Sequence, residues 1–231
     1  MQCVILAGGL GTRMGRWTVT MPKALVPVQG EPFLRHQLRL LDRMGIDDVV
    51  ILTGYKSEMI EAEVVANSVG AAQVRCFADG ETLLGTAGAV RRAVEAGLIE
   101  RTFLLTYGDS YLSVDHRAVF ESFRPDRYDA LMTVNPVDDR EPANARCANG
   151  VVELYRKGAN DPAALGLRHV DYGLSVLSRT AVVDSVVAGA SADLVDLFET
   201  LSTRGASRAT RQHIGIRRLD QNEGSQSSKL G

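Results

Sequence analysis

Cysteine is scarce in this chain and follows no pattern. Cys3, Cys76 and Cys147 are odd in number, widely spaced and free of any CxxC pair. That argues against a zinc site or a disulfide framework and suits a reducing cytosol. A surplus of one charge is also missing, since 26 Lys and Arg stand against 28 Asp and Glu, a formal net charge of −2. With no Lys/Arg block in the chain, a basic nucleic-acid-binding surface is not expected. No run reaches the roughly eighteen apolar residues of a membrane span. The first residues lack the charged and apolar regions of a secretory leader, and Met1 leads straight into a core strand. No internal repeat is evident, and no Pro/Ser/Gly-rich linker divides the chain. These absences predict a soluble, cytoplasmic protein.

What is present is ample for a full core: 231 residues, 45% apolar and 23% charged. Short continuous apolar runs, Cys3–Ala7, Val49–Thr53, Val74–Phe77 and Phe103–Thr106, read as buried strands. Between them lie helical stripes. Phe33 to Met44 carries Phe33, Leu34, Leu38, Leu40, Leu41 and Met44 and stops at Gly45. Ser57 is placed to cap a helix with Ile60, Val64 and Val65 on one face, and another helix runs from Gly85 towards Ala96. Strand and helix alternating with two-sided apolar strands predicts an α/β fold, a mostly parallel mixed sheet with helices on both faces. In the second half, Asp115-His116 opens a helix to about Phe123 and Ala130–Val134 is a strand. Asn149-Gly150 joins two β-like runs as a hairpin turn. Val170–Leu177 reads as a further strand, and Thr180–Val187 and Leu194–Leu201 as helices. Residues 130–178 are expected to complete the sheet and cover a second substrate. Residues 1–205 form one domain in this reading, and 206–231 a polar, flexible tail.

The most informative stretch is the first twenty-three residues. The strand Cys3–Ala7 runs into Gly8-Gly9-Leu10-Gly11-Thr12-Arg13, and Pro22-Lys23 follows about ten residues later. A glycine-dense turn lets the backbone come close to a ligand and point several N–H groups at one anion. Arg13 and Lys23 add two positive charges. Two common phosphate motifs do not fit: the third glycine of a G-x-G-x-x-G would fall on Met14, and no Gly-Lys-Ser/Thr follows. In parallel sheets ligands sit beyond the carboxyl ends of the strands. Gly8 follows the first strand and Gly108-Asp109 the fourth, so both belong on one edge.

Gly-Gly-x-Gly-Thr-Arg with Pro-Lys downstream resembles the signature of the sugar-phosphate nucleotidyltransferases, Rossmann-like enzymes that join a nucleoside triphosphate to a sugar 1-phosphate and release pyrophosphate. The similarity covers about residues 1–203, strongest in 3–28, 83–112 and 170–177. It implies that Gly8, Gly9, Gly11 and Thr12 hold the triphosphate, with Leu6 and Ala7 leading into them. It implies that Arg13 balances the β/γ-phosphates and that Lys23 bridges the two substrates' phosphates. Gly85-Thr86-Ala87 would line base and ribose. Gly108-Asp109 is similar to the family's Gly-Asp, making Asp109 the expected ligand of a Mg²⁺ cofactor. Lys157, or Arg156 beside it, would meet the sugar 1-phosphate, and Asp171 and Gly173 the sugar. The short, single-domain length is similar to the heptose, mannose or N-acetylmuramate 1-phosphate transferases, with a lean to GTP and room for a homodimer.

One departure stands out. The family places a second metal-binding acid near the C-terminus, where this chain reads His213-Ile214-Gly215-Ile216. Three readings are open here: Asp109 binds the metal alone with waters, Asp220 or Asp193 substitutes for the missing acid, or catalysis is weakened. Two other readings stay open on the sequence. One is a degenerate nucleotide- or sugar-binding regulatory relative. The other is a metal-dependent glycosyltransferase using a finished NDP-sugar, although Asp109-Ser110-Tyr111 lacks the Asp-x-Asp of that class.

Overall fold

The computed structural model describes residues 1–9, 20–67, 69–80, 82–137, 142–205, 207–211 and 217–218. The first half alternates as expected. The strands are β1 (Gln2–Ala7), β2 (Pro27–Val28), β3 (Glu31–Pro32), β4 (Asp48–Thr53), β5 (Gln73–Ala78) and β6 (Thr102–Tyr107). The helices are α1 (Phe33–Arg43), α2 (Ser57–Ala66) and α3 (Gly85–Glu95). Then come β7 (Ser110–Tyr111), α4 (His116–Ser122), β8 (Ala130–Pro136), β9 (Ala145–Ala148), β10 (Val151–Tyr155) and β11 (His169–Ser178). The order closes with α5 (Arg179–Ser185), α6 (Leu194–Thr203), β12 (Ser207–Arg211) and β13 (Arg217–Arg218).

Nine of these strands form one sheet in the order β5-β4-β1-β6-β11-β8-β12-β10-β9. The half containing β5, β4, β1 and β6 is parallel, with Gln2 opposite Asp48, Ala7 opposite Thr53 and Leu6 opposite Tyr107. β11 runs antiparallel to both β6 and β8, so it turns the sheet from its parallel to its mixed half.

The alternation of strand side chains explains why these runs are apolar throughout. Cys3, Ile5, Val49, Ile51 and Leu104 face a core with Leu34, Leu38, Leu41, Ile60 and Val119 from α1, α2 and α4. Val4, Leu6, Val50, Leu52 and Leu105 face the opposite core with Val90, Ala93, Val182, Leu197 and Phe198 from α3, α5 and α6. Each large aliphatic side chain so buried contributes about 1.5–3 kcal/mol, and both helical layers are fixed by that burial. Cys3 packs there as a small apolar group, its thiol pushed up to about 12 by desolvation. None of the three cysteines forms a disulfide. No helix among the described residues is long and apolar enough to cross a membrane.

Several expectations need correction. Ser57 is the first helical residue and not the cap; Lys56, at φ +54, precedes it without a side-chain capping bond. Val65 is 84% exposed, because only Ile60 of that stripe is fully buried and Val64 merely packs against the core's margin. Ala87, expected to line the nucleotide, points into the core and is fully buried. The polar stretch set apart from residue 206 onward begins inside the sheet. Ser207–Arg211 forms β12, parallel to β8 and antiparallel to β10. A slot between two strands leaves their N–H and C=O groups without partners unless something fills it, and this short segment does so despite its polar composition.

The hairpin at Asn149-Gly150 forms with positive φ at both residues, 51° and 75°. Asp115 caps α4 through a bond from the Ala118 N–H of 2.9 Å.

Candidate active site

Because the four parallel strands are in register, the residues that follow them meet at one edge: Gly8-Gly9, Gly54, Asp79 and Gly108-Asp109. The loops are in close contact there. A Cβ on Gly54 would come within 2.8 Å of the Gly8 carbonyl oxygen, nearer than such atoms approach, so glycine is required. The Gly108 N–H donates to Leu6 O at 2.8 Å and ties the fourth loop to the first. A cavity of about 370 Å³ opens on this edge. Leu6, Ala7, Gly8, Gly9, Lys23, Gly85, Thr86, Gly108 and Asp109, all singled out from the sequence, line it. So do Leu52, Leu83, Ala89, Tyr107, Asp79 and Asp193, which give it apolar walls and two further acids.

Lys23 starts a single 3₁₀ turn, Lys23–Leu25, anchored by the buried Ala24 and Leu25. From there its Nζ donates to Asp109 Oδ2. The pair is partly exposed, and pairs of that kind add about 0–1 kcal/mol to stability at most. Its importance is placement: a cation and a carboxylate occupy one point beside the Gly8–Gly9 backbone. The turn carrying Asp109 is held from below by Gln37 of α1, which is 2% exposed. Gln37 Nε2 donates to Tyr107 O at 2.8 Å and to Ser110 O at 2.9 Å, one on each side of Gly108-Asp109. A polar residue on the otherwise apolar buried face of α1 is the signal the sequence offers for it.

Asp109 fits a magnesium ion. Mg²⁺ takes hard oxygen ligands, commonly one or two carboxylates with substrate phosphates and water, and no cluster of three or more His, Cys, Asp or Glu capable of holding a metal occurs among the described residues.

The start of α3 is not an open anion site. Gly85 takes φ +73°, and a Cβ there would lie 2.6 Å from Ala192 O. The N–H groups of Ala87 and Gly88 donate to that same carbonyl at 2.9 and 3.1 Å. Thr86 N–H and Oγ1 both donate to Asp193 Oδ1 at 3.2 Å, and Leu194 N–H donates back to Thr86 Oγ1 at 2.8 Å. Asp193, a candidate second metal acid on the sequence, thus latches α3 to α6, whose start it also caps with Asp196.

The expected sugar residues lie elsewhere. Lys157 is exposed in the turn after β10, and Arg156 pairs with Glu199 at 3.4 Å. Asp171 is 7% exposed, and its Oδ1 accepts from Gly173 N–H at 2.8 Å. Its own N–H donates to Asn144 Oδ1 at 2.8 Å. Tyr155 Oη donates to Asp171 Oδ2 at 3.4 Å; burial, then the nearby Asp171, pushes the Tyr155 hydroxyl far up, so it remains a donor. Neither Lys157 nor Asp171 lines the cavity. Gly173, at φ +93°, sits beside Tyr107 and Ser110 and does not line the cavity. Gly11, Thr12, Arg13, His213 and Asp220 lie outside the described residues.

Asp79 was missed. It follows β5 as Asp109 follows β6, is 6% exposed, and lines the cavity. Its N–H donates to Thr53 O at 2.9 Å. Burial raises its carboxyl above the usual range, and Arg92 nearby pulls it partly back.

Comparison with known proteins places the chain in a family. The model of the MobA-like NTP transferase domain matches residues 3–214. The chain is 33% identical over 141 residues to a D-glycero-alpha-D-manno-heptose 1-phosphate guanylyltransferase of Aneurinibacillus thermoaerophilus, a match covering 61% of this chain and 60% of that protein. It is 30% identical over 237 residues to a glucose-1-phosphate cytidylyltransferase of Salmonella typhimurium, covering 94% and 89%. Among solved structures, HddC from Yersinia pseudotuberculosis superposes with a TM-score of 0.75 at 24% identity, over 94% of this chain and 93% of that one.

Proposed function

We propose, on the premise that this chain belongs to the MobA-like NTP transferase domain family, that it joins a nucleoside triphosphate to a sugar 1-phosphate and releases pyrophosphate and an NDP-sugar. One observation carries the reading: the Gly8–Gly9 backbone, Lys23 and Asp109 stand together at the mouth of the parallel strands. In the reaction an oxygen of the sugar phosphate attacks the α-phosphorus, and the bond from that phosphorus to the β-phosphate oxygen breaks. The electron pair leaves with pyrophosphate. The nucleophile is already ionised, so no general base is needed, and the protein's task is to bring two polyanions together and offset their charge.

Lys23 is the residue placed to do this, exchanging its contact with Asp109 for one with phosphate. Gly8 and Gly9 let phosphate approach the backbone. A Mg²⁺ ion held at Asp109 would polarise the phosphoryl oxygens. Arg13, by its place in the motif, is assigned to the departing pyrophosphate. Relatives named as heptose and mannose 1-phosphate guanylyltransferases support GTP with a mannose- or heptose-type sugar as the first pair to test; the glucose-1-phosphate cytidylyltransferases among the relatives make CTP the second nucleotide to test. Three cysteines outside any disulfide suit reaction in the cytoplasm.

Incubation with each triphosphate, Mg²⁺ and a panel of sugar 1-phosphates is expected to release pyrophosphate with at least one pair. Nucleotide binding without pyrophosphate from any pair would instead favour a regulatory relative.

A further inference from the structure

The start of α3 is one wall of the cavity, and a segment from the second half of the chain holds it there. Gly85 and Thr86 line the cavity, and so does Asp193, the residue before α6. Ala190–Asp193 runs so close to Leu84–Gly88 that two glycines are required. A Cβ on Gly85 would stand 2.6 Å from Ala192 O, and one on Gly88 2.9 Å from Ala190 O. Ala192 N–H donates to Leu84 O at 2.8 Å, and Ala192 O takes the N–H groups of Ala87 and Gly88. Thr86 is tied to the same segment three times. Its N–H and Oγ1 donate to Asp193 Oδ1, and its Oγ1 accepts from Leu194 N–H. The N–H groups that open a helix ordinarily attract phosphate. Here those of Thr86, Ala87 and Gly88 all reach protein oxygens, and a carboxylate stands beside them. This side of the cavity offers phosphate no such donor and a negative charge, whereas the Gly8–Gly9 side carries Lys23. The cavity therefore has a direction.

We infer that Asp193 is a positioning residue for the nucleotide. By holding Thr86 it fixes the Gly85-Thr86 wall against which the nucleoside lies, and it closes the start of α3 to phosphate. The triphosphate is left the Gly8–Gly9 end. The inference rests on the proposed reading of the cavity as a nucleotide seat. Asp193 acts through Thr86 and needs no contact with the reacting atoms. Its charge is not what matters: a side-chain oxygen that accepts from the Thr86 N–H and hydroxyl is enough.

The test is binding of GTP, CTP and inorganic tripolyphosphate to the full chain, by calorimetry with Mg²⁺ and no sugar phosphate. Tripolyphosphate probes the phosphate end alone. In Asp193→Ala the better-bound nucleotide should weaken at least about tenfold, the size of a hydrogen bond to a charged acceptor. Tripolyphosphate should bind as before or more tightly. Asp193→Asn keeps an acceptor for Thr86 and a good helix cap, and its nucleotide affinity should stay within about threefold of wild type. Thr86→Val should weaken the nucleotide about as Asp193→Ala does, and the two together little further, since both remove one contact. An unchanged nucleotide affinity in Asp193→Ala, or tripolyphosphate weakening in step with the nucleotide, overturns the inference; so do losses that add in the double variant. Asp193→Asn failing as Asp193→Ala does also overturns it, because the charge would then be what counts. Wild type binding none of the three ligands overturns the seat itself, and the inference with it. Should Asp193→Ala not fold, Thr86 decides: Thr86→Ser must bind the nucleotide like wild type and Thr86→Val must not.

Discussion

The two halves of the sheet use their strand ends differently. In the parallel half, β1, β4, β5 and β6 stop at the same edge; Gly8-Gly9, Asp79 and Gly108-Asp109 line one cavity there, and Gly54 after β4 packs against Gly8. In the mixed half, the polar residues near β8 to β12 turn towards each other: Asp171 binds Gly173 and Tyr155, Asn144 binds Asp171, and Ser202 receives the Tyr155 N–H at 3.0 Å. Parallel connection gathers chemistry at one end because every strand runs the same way. Antiparallel pairing sends successive turns to opposite ends and leaves side chains to satisfy one another. In the proposed reaction the residues that meet the nucleotide come from the first half.

Four changes test that contrast. The largest effect belongs to β12. Ending the chain at residue 205 removes the strand between β8 and β10 and leaves two rows of backbone groups open. The truncated protein should show no cooperative thermal transition; a transition near that of the full chain would return the segment to the status of a tail. Next is Lys23→Met, which removes one preorganised charge. It should cost about 10²–10³ in kcat with little change in melting temperature, and a loss below about tenfold would remove Lys23 from the transition state.

Gln37→Leu should be intermediate. It leaves Tyr107 O and Ser110 O without the amide that brackets Asp109, destabilising the fold by about 1–3 kcal/mol. The Mg²⁺ concentration for half-maximal rate should rise, and an unchanged requirement would make Gln37 structural only. Smallest is the stability effect of Asp79→Asn. Its carboxyl is raised in the folded state, so wild-type stability falls as pH climbs from the ordinary aspartate range through the raised value. The variant should therefore melt higher than wild type at neutral pH and equal to it below the ordinary range. A variant that melts lower at neutral pH would mean the carboxylate is satisfied.

The same contrast explains what was legible in the sequence. A continuous apolar run followed by glycine or aspartate announces a parallel strand and its ligand loop, so β1 with Gly8-Gly9 and β6 with Gly108-Asp109 could be placed from spacing. Asp79 obeyed the same rule after Val74–Phe77 and was overlooked because no family motif marked it. Asp171 matched a motif yet is turned inward, since a backbone bulge between Asp171 and Ser175 of β11 decides its direction, and a bulge has no signature in residue type. Val65 looked apolar and periodic, but α2 lies at the margin and buries only one side chain fully. β12 was hidden for a plainer reason: its pairing partners are more than fifty residues away, and Ser207–Arg211 carries no alternation that betrays them.

A structure of the full chain bound to a non-hydrolysable GTP analogue with Mg²⁺ bears most directly on the claim that the carboxyl edge of the parallel strands seats a nucleotide. The triphosphate is expected against the Gly8–Gly9 backbone with Lys23 turned from Asp109 to phosphate, and the base within the same cavity. A nucleotide bound elsewhere, with the Lys23–Asp109 pair intact and the cavity empty, would contradict it.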